Sequence, residues 1–212
     1  MKKLIIFDWD GTLCDSLGRI AECLAAAARE RGLAPPSLEA GRNVVGLSLP
    51  RALAELFPGL DEPELEQLDT CYRRHFVERD AEPSAFFPSV LEVLEKLKAR
   101  GYRLAVATGK SRKGLTRALA AHGLTNFFDS SRCADESLSK PHPAMLRELL
   151  LEFQVEPGES MMVGDSEYDM EMARRAEVPR IGVSYGAHGA DRLKRFELVA
   201  CLNTFPEIFN HI

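Results

Sequence analysis

Residues 4 to 16, Leu4-Ile5-Ile6-Phe7-Asp8-Trp9-Asp10-Gly11-Thr12-Leu13-Cys14-Asp15-Ser16, constrain this chain more than any other stretch. A short apolar run without polar alternation reads as a parallel strand buried on both faces. It stops abruptly at two carboxylates spaced i, i+2, followed by a glycine and a hydroxyl. Asp and Gly are poor strand residues, so a local rule is broken here for function. The stretch predicts an inner strand that delivers acids to its C-terminal end. Asp8 is expected to be a nucleophile and Asp10 its proton-transfer partner.

The rest of the chain supplies a sheet around that strand. From residue 88 onward, helical and strand patterns alternate. Strands are expected at 102–107, 160–163, 180–183 and 197–202, with a short strand or turn within 127–133. Such alternation predicts an α/β fold with a Rossmann-like parallel sheet core. Residues 15 to 83 read differently. Asp15 or Ser16 can cap a helix carrying Leu17, Ile20, Leu24, Ala27 and Ala28, which Gly32 stops. Ser37 can cap a second helix, through Val44 and Val45, and Gly46 interrupts it. A third helix runs from about Pro50 to Phe57. Asp61-Glu62-Pro63 opens a longer one with Leu65, Leu68, Tyr72 and Phe76 on one stripe. The block is too long for a plain crossover. It predicts an inserted α-helical cap over 15–83, with 1–14 and 84–212 forming the α/β catalytic core.

Bulk properties exclude several classes. The net charge of −5 lacks the basic footprint of nucleic-acid binding. No apolar run approaches the roughly 18 to 20 residues of a membrane span. Met1-Lys2-Lys3 begins like a signal peptide, but only four apolar residues follow before Asp8. Cys14, Cys23, Cys71, Cys133 and Cys201 are scattered, odd in number and without CxxC spacing. They suit free thiols in a reducing, cytoplasmic setting. The expected assembly is a monomer or a homodimer.

Polar residues recur just past successive apolar runs: Asp8 and Asp10, then Thr108, then Asp165. In open α/β sheets these ends converge on one crevice where ligands bind. Several acids crowded together call for a cation, and oxygen ligands with few carboxylates suit Mg²⁺. Lys140, ahead of its helix, offers a point charge for a phosphate. Thr108 and the N–H of Gly109, at a helix N-terminus, can hold phosphate oxygens.

The ordered set resembles the haloacid dehalogenase superfamily, in its Mg²⁺-dependent phosphatases. Asp8-Trp9-Asp10-Gly11-Thr12 matches the first motif, Thr108-Gly109 the second, Lys140 in Ser139-Lys140-Pro141-His142-Pro143 the third, and Gly164-Asp165 with Asp169 the fourth. The helical block resembles the cap of the phosphoglycolate phosphatase-like branch. The resemblance implies that Asp8 forms an aspartyl-phosphate and that Asp10 protonates the leaving oxygen and later activates water. It implies Mg²⁺ bound by Asp8, Asp165 and the main-chain carbonyl of Asp10. Lys140 and Thr108 would stabilise the phosphoryl group, and Asp169 would orient Lys140 or a metal-bound water. It implies a small phosphorylated metabolite as substrate, with phosphoglycolate the first candidate.

Within the cap, Arg42 and His75 are the residues expected to read substrate, with Arg73 and Arg74 as further candidates. Gly109 and Lys110 are expected on the substrate. The run Gly109-Lys110-Ser111-Arg112-Lys113 is unusually basic, so Lys110 or Arg112 can attract a second anionic group. Trp9 and Cys14 are expected to pack, and His188 to lie on a loop surface. Two other readings stay open: a sugar-phosphate mutase of the same superfamily, and a non-enzymatic phosphorylatable signalling domain. A dehalogenase proper lacks an acid at the position of Asp10.

Overall fold

The computed structural model describes residues 3–79 and 83–212. Met1-Lys2 of the basic start and the stretch 80–82 of the expected cap lie outside the described residues. Within them, six strands form one sheet: β1 Leu4–Phe7, β2 Arg103–Thr108, β3 Ser130–Cys133, β4 Ser160–Gly164, β5 Arg180–Val183 and β6 Ala200–Leu202. All pairings are parallel, in the order β3-β2-β1-β4-β5-β6. β1 lies between β2 and β4, with Leu4 in register with Arg103 on one side and Ser160 on the other. This is the doubly wound order, and its switch point falls at the C-terminal ends of β1 and β4.

The uninterrupted apolar run of β1 follows from burial on both faces. Ile5 and Phe7 pack with helices α5 Val90–Ala99 and α6 Arg112–Ala121 through Val93, Leu94, Leu97 and Leu115. Leu4 and Ile6 meet α7 Ala144–Phe153 and α8 Glu167–Arg175 through Met145, Leu149, Met172 and Ala173. Each such side chain contributes about 1.5–3 kcal/mol when fully buried. The cost of ending this strand in acids is therefore met by the packing behind them.

Four helices intervene between β1 and α5: α1 Leu17–Glu30, α2 Leu38–Asn43, α3 Leu49–Leu56 and α4 Glu62–Glu78. They carry a small core of their own, built on Leu24, Ala27, Leu53 and Leu68. Asp61 and Glu64 close a capping box that starts α4, and Ser37 caps α2 by accepting from Ala40 N at 3.1 Å. α2 ends at Asn43, short of the expected Val45. A short helix α9 Ala190–Leu193 precedes β6, and a 3₁₀ turn, Phe205–Asn210, follows it. Among the described residues no helix is long and apolar enough to cross a membrane, and all five cysteines are free.

Candidate active site

The turn after β1 is built to present carboxylates. Asp8 N continues the ladder by donating to Val163 O at 2.9 Å, after which Leu13 N and Cys14 N both donate to Trp9 O at 3.0 Å. Gly11 sits at φ +81°, and a Cβ there would lie 2.2 Å from Asp165 Oδ2. Only glycine admits both that backbone and that approach. Trp9 is buried against Phe86 and Phe128. The Cys14 thiol is buried too, and burial pushes it up to about 12, so it stays neutral packing.

Lys140 is fully buried, with Nζ 2.7 Å from Asp8 Oδ1 and 2.7 Å from Asp169 Oδ1. Burial alone would pull this ammonium down, but Asp169 and Asp8 together hold it up. Asp8 Oδ2 has no hydrogen-bond partner. Asp165 accepts from Thr12 Oγ1 and from Ala187 N, each at 2.7 Å. Burial, then the nearby charge of Asp169, pushes the Asp165 carboxyl up to about 7. Asp8 is likewise raised, chiefly by burial, against the pull of Lys140. The i, i+4 spacing of Asp165 and Asp169 would put both on one helix face if both were helical. Instead Asp165 precedes α8, Ser166 caps it, and Asp169 is the reciprocal partner of that cap. Its Oδ2 accepts from Ser166 Oγ at 2.6 Å and from Ser166 N at 3.1 Å. The local helix signal thus fixes the carboxylate that holds Lys140.

Asp8, Asp165 and Asp169 each offer a carboxylate oxygen, and these lie within 4.8 Å of one another. Three buried acids against one buried ammonium leave a formal surplus of two negative charges. The unpartnered Asp8 Oδ2, the all-oxygen donor set and this surplus fit a hard divalent cation. Both oxygens of Asp169 are engaged, by Lys140 and Ser166, and both of Asp165, by Thr12 and Ala187, so Asp8 Oδ2 is the carboxylate oxygen of the three left without a partner.

Asp10 is held separately. Ser16 Oγ donates to its Oδ1 at 2.6 Å, and Lys110 Nζ stands 3.0 Å from its Oδ2. Ser16 occupies the N-cap position of α1 but makes no side-chain cap bond, so the expected cap is instead a support for Asp10. Lys110 Nζ also sits over the Phe76 ring, 4.9 Å from its centroid. Thr108 is buried at the end of β2 and its Oγ1 accepts from Lys110 N at 3.2 Å.

A cavity of about 350 Å³ opens from Asp8 and Asp10, between the sheet ends and the four helices. Gly109 and Lys110 line it; Arg42 and His75 do not. Arg42 is exposed on α2. His75 turns to α1, with Nε2 2.8 Å from Glu30 Oε2, and Arg74 pairs with the same carboxylate. Arg73 does line the cavity; it pairs with Asp69 and reaches Ser111 Oγ at 3.4 Å. Arg112 is engaged away from the cavity, with Glu136 at 2.7 Å and Ser131 Oγ at 2.8 Å.

The loop after α2 rests directly on the sheet ends. A Cβ on Gly109 would meet Leu47 O at 2.4 Å. Ser48 N donates to Ser139 Oγ at 3.1 Å, Tyr168 Oη donates to Asn43 O at 3.0 Å, and Arg192 donates to Asn43 Oδ1 at 2.7 Å. His188 was expected on a loop surface but is buried. Its Nδ1 accepts from Glu167 N at 2.9 Å, and its Nε2 faces Asn43 O at 3.3 Å. Burial, then Arg192, lowers its basicity, in keeping with a neutral ring that accepts at Nδ1.

Residues 5–183 match the haloacid dehalogenase-like hydrolase family. The chain belongs to that family, and it is an enzyme of the phosphoric monoester hydrolase class. It is 35% identical to a probable phosphatase IndB of Dickeya dadantii over 98% of this chain and 92% of that one. It is 34% identical to a phosphoglycolate phosphatase of Haemophilus influenzae over 87% and 86% of the two chains. The crystal structure of a predicted phosphoglycolate phosphatase from Haemophilus somnus 129pt superposes with a TM-score of 0.87 at 28% identity, covering 99% of this chain and 97% of that one. These relatives put the chain on the phosphoglycolate phosphatase-like branch.

Proposed function

We propose that this protein is a Mg²⁺-dependent phosphatase that hydrolyses a small-metabolite phosphomonoester through an aspartyl-phosphate on Asp8. The observation that carries the reading is the buried cluster of Asp8, Asp165 and Asp169 on one ammonium, Lys140, opening on a cavity beside Asp10. Asp8 attacks phosphorus while the bond to the leaving oxygen breaks and Asp10 gives that oxygen a proton. Water then attacks the aspartyl-phosphate, Asp10 takes its proton, and Asp8 leaves as carboxylate with release of inorganic phosphate. Lys140 and Thr108 hold the transferring group, where positioning and electrostatics supply most of the catalysis. Asp8, Asp165 and the Asp10 carbonyl would hold Mg²⁺, which neutralises phosphate charge and aligns the group. The helical cap over 15–83 would exclude water and macromolecules from the site. Free thiols suit a cytoplasmic setting. Phosphoglycolate is the candidate the relatives' names offer. Hydrolysis of p-nitrophenyl phosphate that needs Mg²⁺ and stops with chelator is expected; metal-independent turnover, or none on any phosphoester, rejects the reading.

The cation requirement has a stability signature. Asp165, raised to about 7, keeps in the folded chain a proton that the unfolded chain has already lost. Metal-free stability therefore falls as pH rises from about 4 through 7. Cation binding needs the carboxylate form. The rise in Tm produced by Mg²⁺ should accordingly be small at pH 5.5 and grow through pH 8. Scanning calorimetry across that range checks it, and a pH-independent increment would contradict it.

Lys110 touches Asp10 rather than standing free for a second anion. Lys110→Ala is expected to lower kcat about 10-fold for singly and doubly anionic esters alike, through loss of Asp10 positioning. Steady-state kinetics on both esters decides the matter. A KM rise confined to the doubly anionic ester would instead make Lys110 a substrate contact.

A further inference from the structure

The cavity beside Asp8 and Asp10 is larger and more apolar than a two-carbon acid requires. At about 350 Å³ it reaches the range, from about 300 Å³, of pockets for drug-sized ligands. Ile20 and Leu24 of α1, Val44 and Leu49 around the α2–α3 loop, and Tyr72 and Phe76 of α4 wall it. Tyr72 adds no charge, because burial, then the neighbouring Asp10, pushes its phenol well up. Of the cations that line the cavity, Lys110 faces Asp10 and Arg73 faces Asp69, while Lys113 and Arg117 belong to α6. A carboxylate tail lying against the α1 and α4 walls would leave water for an apolar surface, which is costly. A flat apolar group would exchange water for two aromatic rings and four aliphatic side chains.

The geometry points to a phosphomonoester whose leaving alcohol carries a ring-sized apolar or aromatic group, seated in this chamber under the cap, as the preferred substrate class. The inference rests on the phosphatase reading above and deepens it. The chamber is continuous with Asp10, so the ring enters beside the oxygen that Asp10 protonates. The same chemistry accounts for α4 presenting Tyr72 and Phe76 there rather than His75.

The full chain with Mg²⁺ is assayed on 2-phenylethyl phosphate, ethyl phosphate and phosphoglycolate. The first two release primary alcohols of similar reactivity, so their ratio reads the chamber. The expected kcat/KM for 2-phenylethyl phosphate is about 10- to 100-fold above ethyl phosphate, the gain from burying a Phe-sized group. Phosphoglycolate should fall with ethyl phosphate. Ala52→Phe or Val77→Trp, each filling a lining position, should remove the preference while ethyl phosphate is still cleaved. Calorimetric binding of 2-phenylethylphosphonate against ethylphosphonate reads the chamber without turnover. Comparable kcat/KM across the panel, or equal phosphonate affinities, would overturn the inference and leave the phosphatase reading intact. A phosphonate preference without any hydrolysis would support the chamber and reject the phosphatase.

Discussion

Asp8→Asn is expected to remove turnover, with kcat down about 10⁴-fold or more, while the folded protein melts no lower than the wild type. The loss follows from chemistry: an amide cannot form the aspartyl-phosphate, and nucleophile deletions remove whole factors of the rate rather than fractions. The retained stability follows from electrostatics. The Asp8 carboxyl is raised by burial and by the charges of Asp169 and Asp165, so its ionised form is disfavoured in the folded chain. An asparagine of the same shape removes one of three acids and leaves Lys140 paired with Asp169 at 2.7 Å. Functional strain relieved by a neutral isostere is a recurrent trade of activity against stability. Steady-state kinetics and a thermal melt in metal-free buffer at pH 8 test both halves. A variant that kept kcat within tenfold would reject Asp8 as the nucleophile. One that melted well below the wild type would reject the account of a strained acid.

The residues that sequence reading brings together and those it misplaces differ in what positions them. Asp8, Thr108 and Asp165 follow strands whose apolar runs are unmistakable, and a parallel sheet carries such ends to one edge. Lys140 does not sit directly at a strand end, yet it arrives between Asp8 and Asp169 because its motif lies between β3 and α7 in a fixed crossover. The cap side chains had no such frame. Arg42 and His75 are the residues whose chemistry suits an anion, but orientation is set by helix face. On α4, residues 72, 73, 76 and 77 share the face toward the cavity, while His75 points to Glu30 on α1. The Leu65, Leu68, Tyr72, Phe76 stripe already marked that face in the sequence. It read as packing, and part of it proves to be the chamber wall. Ser16 was legible as a helix cap and His188 as loop surface. Their partners, Asp10 six residues earlier and Asn43 across the fold, depend on how the helices dock on the sheet.

The largest stability effect is expected at Lys140. Lys140→Met keeps the length and most of the apolar stem while removing the one ammonium that sits among Asp8, Asp169 and Asp165. Breaking a buried ion pair from one side costs about 3–5 kcal/mol, because the remaining charge is left uncompensated. Here two carboxylates lose their partner at once. At a few degrees per kcal/mol for a chain of this size, Tm should fall by about 10 °C at pH 8. The pH sign is fixed by the acids. Without Lys140 the Asp8 carboxyl, already raised by burial, rises further above its unfolded-chain value, so the variant loses stability as pH rises above about 4. The deficit should therefore be largest at pH 8 and shrink towards pH 5, where Asp8 can hold a proton. Mg²⁺ should restore part of it at high pH by supplying the missing positive charge, without restoring turnover, since the phosphoryl group has lost its ammonium. Adding Asp169→Asn to Lys140→Met removes a second uncompensated acid and should recover much of the lost Tm, whereas Asp169→Asn alone should not stabilise the chain. Paired melts of the single and double variants measure this coupling. A Lys140→Met protein that melts like the wild type at pH 8, or a double variant with no recovery, would mean that shape rather than charge holds the cluster together.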